Sequence, residues 1–558
     1  MVPTSYHQAI SQIMDAVLVE EPTSILDVGV GFGKYGLLCR EALDVAAARY
    51  ERRDWRVRID GIEVCARYRN PVHDHVYNTV HYGEVGTILD RLPVYDLVLL
   101  VDVLEHLEPD RGQELLRRLL AHAGRAVVVS TPIFPSTQGA YLGNVHETHR
   151  SRWSALNFAS LDAAYSTVPT PDGGAQLIKI FPHCTARQAN PADAVWDAVE
   201  EPIRSLRIGV ALPHHGLTGG MKALLGMSTA LRARGHSVTL AYRGQSGEPV
   251  LPSWADAVGT ETVLVPPDRP WGPHLGHCDV VLAGWVSQLP ELAAGPAPVL
   301  YWEQGHEALF GEMPPEQQTG TRRQLEQAYG SPVALAAVSP VVAAILHTRY
   351  GRTSIVVPPG VDAQAFHPGP PAARPTVLLV GDPRLRFKGF DVALRVLQRA
   401  WDQGCRFQVR WICQSPPTVR GVSFPLHCVV HPAQRDLPGH YRDASLLLFT
   451  SWYEGFGLPP LEAMASGVPV VATQCGGISS YAQAGVNALL AEPGDVDSLA
   501  AAVARLLTDE RARALLALRG RQTAETMAWA AAAAALEPAL LRVAGHRHAQ
   551  QNALSARG

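Results

Sequence analysis

No two cysteines of this chain stand in a C-x-x-C pair. The eight, Cys39, Cys65, Cys184, Cys278, Cys405, Cys413, Cys428 and Cys475, are scattered over 558 residues. That spacing gives no support to zinc ribbons or redox motifs, and it fits a reducing compartment with most thiols as small core groups. No apolar run reaches the ~18–20 residues of a membrane span. The first twenty residues lack a basic start followed by an apolar core, so the chain reads as cytoplasmic. Neither sign of charge dominates: charged residues are 18% of the chain and the formal net charge is −4. Nucleic acid and anionic membranes are therefore not indicated as main partners. Short tandem repeats are absent as well.

What is present is hydrophobic residue at 47%, enough for several cores, in segments that alternate strand-like and helix-like patterns. This alternation predicts α/β layers with parallel sheets. The first such segment has strand candidates Ser24–Gly29, Val57–Glu63, Val80–Gly83, Tyr95–Val101 and Ala126–Thr131, with a helical pattern over Leu104–His122. A polar, Ala-rich stretch over 185–204 reads as a linker. A second segment starts with the strand Arg207–Leu212, and a third with Thr376–Val380. The helix-hostile run His367-Pro368-Gly369-Pro370-Pro371 lies between them. Met527–Val543 should be helical, with a frayed polar tail from Gly545. The predicted domains are 1–184, a linker 185–204, lobes 205–366 and 367–545, and a flexible tail 546–558.

Ile25-Leu26-Asp27-Val28-Gly29-Val30-Gly31-Phe32-Gly33 is a buried strand entering a glycine-rich turn, with a helix starting near Lys34. Glycines let a ligand approach the backbone, and the helix start offers free N–H donors. Gly31 to Gly36 satisfy G-x-G-x-x-G, the pattern of dinucleotide sites. The acid ending the next strand is Glu63, however, about thirty residues on instead of about twenty. Glu84 follows a third strand, and Asp102 ends the fourth within Asp102-Val103-Leu104-Glu105-His106. Over residues 5–180 this combination resembles class I S-adenosylmethionine (SAM)-dependent methyltransferases. The resemblance implies that Asp27 organises the amino-acid end of SAM and that Gly29, Gly31 and Gly33 line its methionine and ribose. It further implies that Glu63 takes the ribose hydroxyls, Glu84 faces the adenine, and Asp102 borders the methyl-transfer cleft. Methylation of a hydroxyl also needs a base. His146 and His149 are candidates, either as base or as a metal pair, beside a reading as plain loop residues; His106 reads as structural.

Further along, the strand Leu446–Phe449 runs into Ser451-Trp452-Tyr453-Glu454-Gly455-Phe456-Gly457-Leu458-Pro459-Pro460-Leu461-Glu462. Proline fits the first turn of a helix, and the N–H groups of that turn make a phosphate site. Glu462, so close to a phosphate, should face a neutral group such as ribose hydroxyls. The run resembles the E-x7-E motif of retaining glycosyltransferases with the two-lobed GT-B fold, glycosyltransferase family 4-like, over about residues 205–545. The implied fold is α/β: an N-terminal Rossmann-like methyltransferase domain followed by a two-lobed, double Rossmann-like GT-B glycosyltransferase. The resemblance implies Glu454 over the donor sugar, the backbone of Phe456, Gly457 and Leu458 on diphosphate and sugar, and Glu462 on the nucleotide ribose. Gly219 and Gly220 would lie near the donor phosphates, with Lys388 and an arginine on the leaving diphosphate.

Departures from the family pattern are specific. Asp382 stands where the family has arginine, so Arg384 or Arg386 must serve, with Arg384 preferred. No histidine follows the strand Asp279–Ala283, and His306 is the nearby candidate. Asp495-Val496-Asp497 matches D-x-D formally but precedes a helical run and reads as a cap, so no metal is expected. The expected ligands are SAM, a nucleotide-sugar donor and a glycan or glycolipid acceptor in polysaccharide or glycoconjugate biosynthesis. Peripheral membrane contact is compatible with a lipid-linked acceptor. Three other readings are a methyltransferase-like module that binds without turnover, a nicotinamide oxidoreductase at the N-terminus, and a glycan-binding protein without enzymatic activity.

Overall fold

The computed structural model describes residues 7–133, 138–140, 144–158, 161–168, 174–182, 190–197, 205–255, 260–305, 315–370, 372 and 374–555. The chain divides into two compact units, one carrying the sheet within residues 24–180 and the other the two sheets within residues 207–491.

The first sheet comprises β1 (Ser24–Val28), β2 (Arg58–Glu63), β3 (Thr79–Tyr82), β4 (Tyr95–Val101), β5 (Ala123–Pro132), β6 (Ala163–Val168) and β7 (Ala175–Ile180), in the order β3-β2-β1-β4-β5-β7-β6. β1 to β5 pair in parallel, and β7 runs antiparallel to both β5 and β6. A doubly wound dinucleotide sheet has the order 3-2-1-4-5-6, so the reversed β7 sets this sheet apart. β1 and β4 are buried along nearly their whole length, as strands inside a parallel sheet are. The expected helix Leu104–His122 is broken into a short 3-10 turn, Leu104–His106, and an α-helix, Pro109–Ala121. The cause is Pro109, which holds Glu108 extended (φ −62°, ψ 146°) and starts a new helix.

The second unit has two sheets. One comprises β8 (Arg207–Leu212), β9 (Ser237–Arg243), β10 (Glu261–Val265), β11 (Val280–Ala283), β12 (Val299–Glu303), β13 (Ala334–Ala337) and β14 (Ser354–Val356), ordered β10-β9-β8-β11-β12-β13-β14. The other comprises β15 (Thr376–Val380), β16 (Gln408–Cys413), β17 (Leu426–Val430), β18 (Leu446–Phe449), β19 (Val470–Thr473) and β20 (Leu489–Ala491), ordered β17-β16-β15-β18-β19-β20. All pairings in both are parallel. Strand order reverses between β1 and β4, between β8 and β11, and between β15 and β18. Parallel sheets bind ligands beyond their carboxyl ends at such reversals. Every glycine-rich turn singled out from sequence follows one of these strands.

Two segments differ from expectation. Part of the predicted linker is docked: Asp193 pairs with Arg352 (2.8 Å) and Trp196 donates to the Thr353 carbonyl, with Val195 buried. The last helix spans Trp529–Ser555, past the expected end at Val543 and into the predicted tail. Its Glu537 ties it to the lobe of β8, accepting from His236 (2.8 Å) and Arg234. No described helix is long and apolar enough to cross a membrane.

Candidate functional sites

In the first unit, Gly29, Gly31 and Gly33 adopt φ of +83°, +54° and +88°, a left-handed region that costs other residues roughly 1 kcal/mol or more. The turn hangs on β2, where Gly29 N donates to the Ile62 carbonyl (2.9 Å). Beneath it Asp27, 2% exposed, accepts from the Tyr77 hydroxyl (2.6 Å), and Gly36 N donates to that same hydroxyl (3.0 Å). Burial pushes the Asp27 carboxyl up to about 6, against the pull of Tyr77. Glu63 ends β2, 4% exposed, and accepts from Gly31 N (2.8 Å) and Cys65 N (2.8 Å). Burial raises its pKa too. Each of its oxygens keeps a second acceptor position for a ligand hydroxyl.

Asp102 follows β4 with φ +53°, strained for a residue bearing a side chain, and accepts from the Ser130 hydroxyl (2.9 Å). Burial lifts it to about 6, while the Lys34 charge pulls it down. Asp27, the three glycines, Glu63 and Asp102 thus occupy one strand reversal. Glu84 is exposed at the end of β3, and its backbone carbonyl accepts from Thr87 N. Among the described residues no side-chain bond joins Glu84 to the others.

Sequence reading missed Tyr77, His73, Tyr68 and Glu147. His73 bridges the Gly31 carbonyl (2.9 Å) and the Tyr82 hydroxyl (2.7 Å), and Tyr68 donates to Glu147 (2.7 Å). No motif marks them, because most of these contacts join residues more than forty positions apart. His146 is exposed, whereas His149 lies against His106, with ring centroids 5.0 Å apart.

In the second unit, β18 is wholly buried. At about 1.5–3 kcal/mol per buried large side chain, it anchors the loop that bears Glu454. That carboxylate, 7% exposed, accepts from Lys388 Nζ (2.7 Å) and the Ser451 hydroxyl (2.7 Å). Gly455 must be glycine, since a Cβ there would sit 2.2 Å from the Gln304 carbonyl oxygen at the end of β12. The two lobes therefore meet backbone to backbone at this turn.

Gly457 caps the helix Leu458–Ala465 with φ +89°, and the Tyr481 hydroxyl donates to its carbonyl. Across from it the helix Gly219–Ala233 starts at Thr218, whose hydroxyl accepts from Met221 N (3.3 Å). A Cβ on Gly219 would lie 3.8 Å from Leu458, so the two helix starts lie close together; Gly219 and Gly220 bring main-chain N–H groups there, whereas Pro459 and Pro460 offer none. Glu462, 4% exposed, accepts from the Tyr441 hydroxyl (2.7 Å) and from Lys222 Nζ of the opposite helix.

Glu454, Gly457, Leu458, Glu462, Lys388, Gly219 and Gly220 are thus brought together, and Phe456 lies buried among them against Tyr481. Arg384 is drawn elsewhere: exposed, it forks onto Asp382 (2.6 Å), the residue that replaces the family's arginine. Among the described residues no hydrogen bond or ion pair links Arg384 to Glu454 or Lys388. Asp495 caps the helix Val496–Thr508, accepting from Ser498 N (3.2 Å). His306 lies outside the described residues. Lys222, Tyr441 and Tyr481 were not predicted as site residues. Lys222 stands two residues beyond the Gly219-Gly220 pair, and only its partner 240 residues away marks it.

Residues 374–509 match the family profile "Glycosyl transferases group 1", so this segment carries a glycosyltransferase group 1 domain. The chain is 32% identical over 202 residues to an MMP alpha-(1->4)-mannosyltransferase of Mycolicibacterium hassiacum, covering 34% of this chain and 49% of that protein. It is 41% identical over 95 residues to the O-antigen chain mannosyltransferase B of Escherichia coli, covering 17% and 24% respectively. The chain thus spans about half the length of the first of these relatives and about a quarter of the second. Among solved structures it is similar to a sucrose-phosphate synthase from Thermosynechococcus elongatus, with 19% identity, a TM-score of 0.49, 64% of this chain and all of that chain covered.

Proposed function

We propose that the second unit transfers a hexose from a nucleotide-sugar donor to a glycan or glycolipid hydroxyl with retention, and that the first methylates a sugar hydroxyl from SAM. The observation that carries the transferase reading is the pairing of Lys388 with Glu454 and of Lys222 with Glu462 around two neighbouring helix starts. A diphosphate there would meet main-chain N–H groups and an ammonium, while Glu462 and Tyr441 would take the nucleotide's neutral ribose. The glycosyl C–O bond to the diphosphate breaks, and the acceptor oxygen bonds the same face of the sugar. The acceptor's proton passes to the departing phosphate oxygen. Lys388 stabilises the charge that develops on the leaving group. The two mannosyltransferase relatives support a hexose donor and a polyhydroxyl acceptor.

The methyltransferase reading is supported by the grouping of Asp27, Glu63 and Asp102 around the left-handed glycine turn, in a sheet whose reversed β7 departs from the dinucleotide order. SAM carries an ammonium and a sulfonium, and acids held by neutral donors suit it. Joining the two activities in one chain would raise the local concentration of a shared acceptor. The deciding experiment is a nucleotide-sugar hydrolysis panel on the full chain with Glu454→Gln as control, beside calorimetric titration of SAM. Turnover unaffected by Glu454→Gln would refute the transferase site. SAM binding without methyl transfer to any sugar acceptor would favour a binding module instead.

A further inference from the structure

Two residues beyond Asp102 the chain makes its short turn Leu104–His106, and the loop bearing His149 closes against it. Arg150 N and Ser151 N both donate to the Glu105 carbonyl (2.7 and 3.2 Å), and His149 N donates to the Gln138 carbonyl (3.0 Å). One carboxylate oxygen of Glu105, one ring nitrogen of His106 and one of His149 consequently lie within 4.8 Å of one another. Glu105 is 2% exposed, and its Oε2 has no hydrogen-bond partner. Leaving a buried charged oxygen unmatched is costly, and either protonation or a bound cation removes that cost. His106 Nδ1 lies 3.3 Å from the Thr148 carbonyl. Donation from that nitrogen leaves Nε2 as the lone-pair nitrogen, the outer-shell arrangement usual for metal-binding histidines.

We propose that Glu105, His106 and His149 form a site for a divalent first-row transition ion of the zinc type, with open positions for the methyl acceptor's hydroxyl. Two imidazoles and one carboxylate match the borderline ions, whereas magnesium and calcium favour all-oxygen shells. Bonds of about 2.1 Å place ligand atoms about 3–3.5 Å apart, so a small rotation of His149 on its loop closes the site. Its role in methylation rests on the methyltransferase reading; the site itself does not. In that role the acceptor's O–H proton leaves to water as the oxygen binds the ion. The oxygen then bonds the methyl carbon, the carbon–sulfur bond breaks, and the sulfonium becomes a neutral thioether.

The test uses tag-free, chelator-treated full-length protein, titrated with Zn2+ by calorimetry and with Co2+ by visible absorption. One equivalent should bind, with the absorption of a nitrogen- and oxygen-ligated cobalt. His149→Ala and Glu105→Gln should weaken binding about 100-fold, and His146→Ala, three residues away, should leave it unchanged. Absence of binding, or equal binding by wild type and His149→Ala, overturns the site. Melting curves report folding, and if Glu105→Gln does not fold, the loop variant His149→Ala decides. SAM is titrated separately: zinc binding without SAM binding keeps the site and overturns its part in methyl transfer.

Discussion

In the first unit the carboxylates of Asp27, Glu63 and Asp102 meet a tyrosine hydroxyl, backbone N–H groups and a serine hydroxyl. In the second, Glu454 and Glu462 each meet a lysine ammonium as well as a hydroxyl. Both sets lie around the carboxyl ends of parallel strands near an order reversal and beside glycine turns, so the architecture is common while the partners of the acids differ. Asp27 and Glu63, held by neutral donors, are raised by burial. Acids already paired with lysines form a near-neutral, hydrogen-bonded frame from which an arriving polyanion can recruit the cations. The difference teaches that one strand–turn–helix unit can carry opposite electrostatics, depending on what faces its acids; on the proposed function this is what fits one unit to a cation and the other to a diphosphate.

Substitutions can break this comparison on either side. The largest effect is expected for Glu454→Gln, which should lower sugar transfer about 10³-fold, measured as kcat, with SAM affinity in the same chain unchanged. Next, Asp27→Asn should weaken SAM binding about 10–100-fold by calorimetry while sugar transfer persists. Smaller, and diagnostic of the mechanism, is the pH dependence. Because burial holds Asp27 at about 6, SAM affinity should fall as pH drops through about 6, approaching ten-fold per pH unit, and Asp27→Asn should flatten the profile.

Without ligand the sign reverses. The folded state keeps the Asp27 proton above the ordinary value of 3.8. Stability is then lost as pH rises from there to about 6, at roughly 1.4 kcal/mol per unit before levelling off. Chemical denaturation of wild type against Asp27→Asn would isolate that slope. The most modest change is expected for Lys222→Met, which leaves Glu462 with Tyr441 alone. Donor KM should rise several-fold, and urea unfolding of the second unit should show a loss of up to about 3 kcal/mol. Combining it with Glu462→Gln should restore stability but not KM.

The sequence by itself determined the elements whose cause is local. Glycines at left-handed positions after buried strands, prolines at helix starts and the Glu454–Glu462 spacing are readable because their partners lie within a turn or two. Even the break at Pro109 was legible in principle, since proline acts on its immediate neighbour. Tertiary structure alone decided what each acid faces: Tyr77 comes to Asp27 from 50 residues away, and Lys222 to Glu462 from 240. It also decided that His149, not His146, meets His106. Charge and burial at a site depend on which distant strands the sheet order makes neighbours, and that order is settled by packing whole apolar faces together, not by any short stretch of residues.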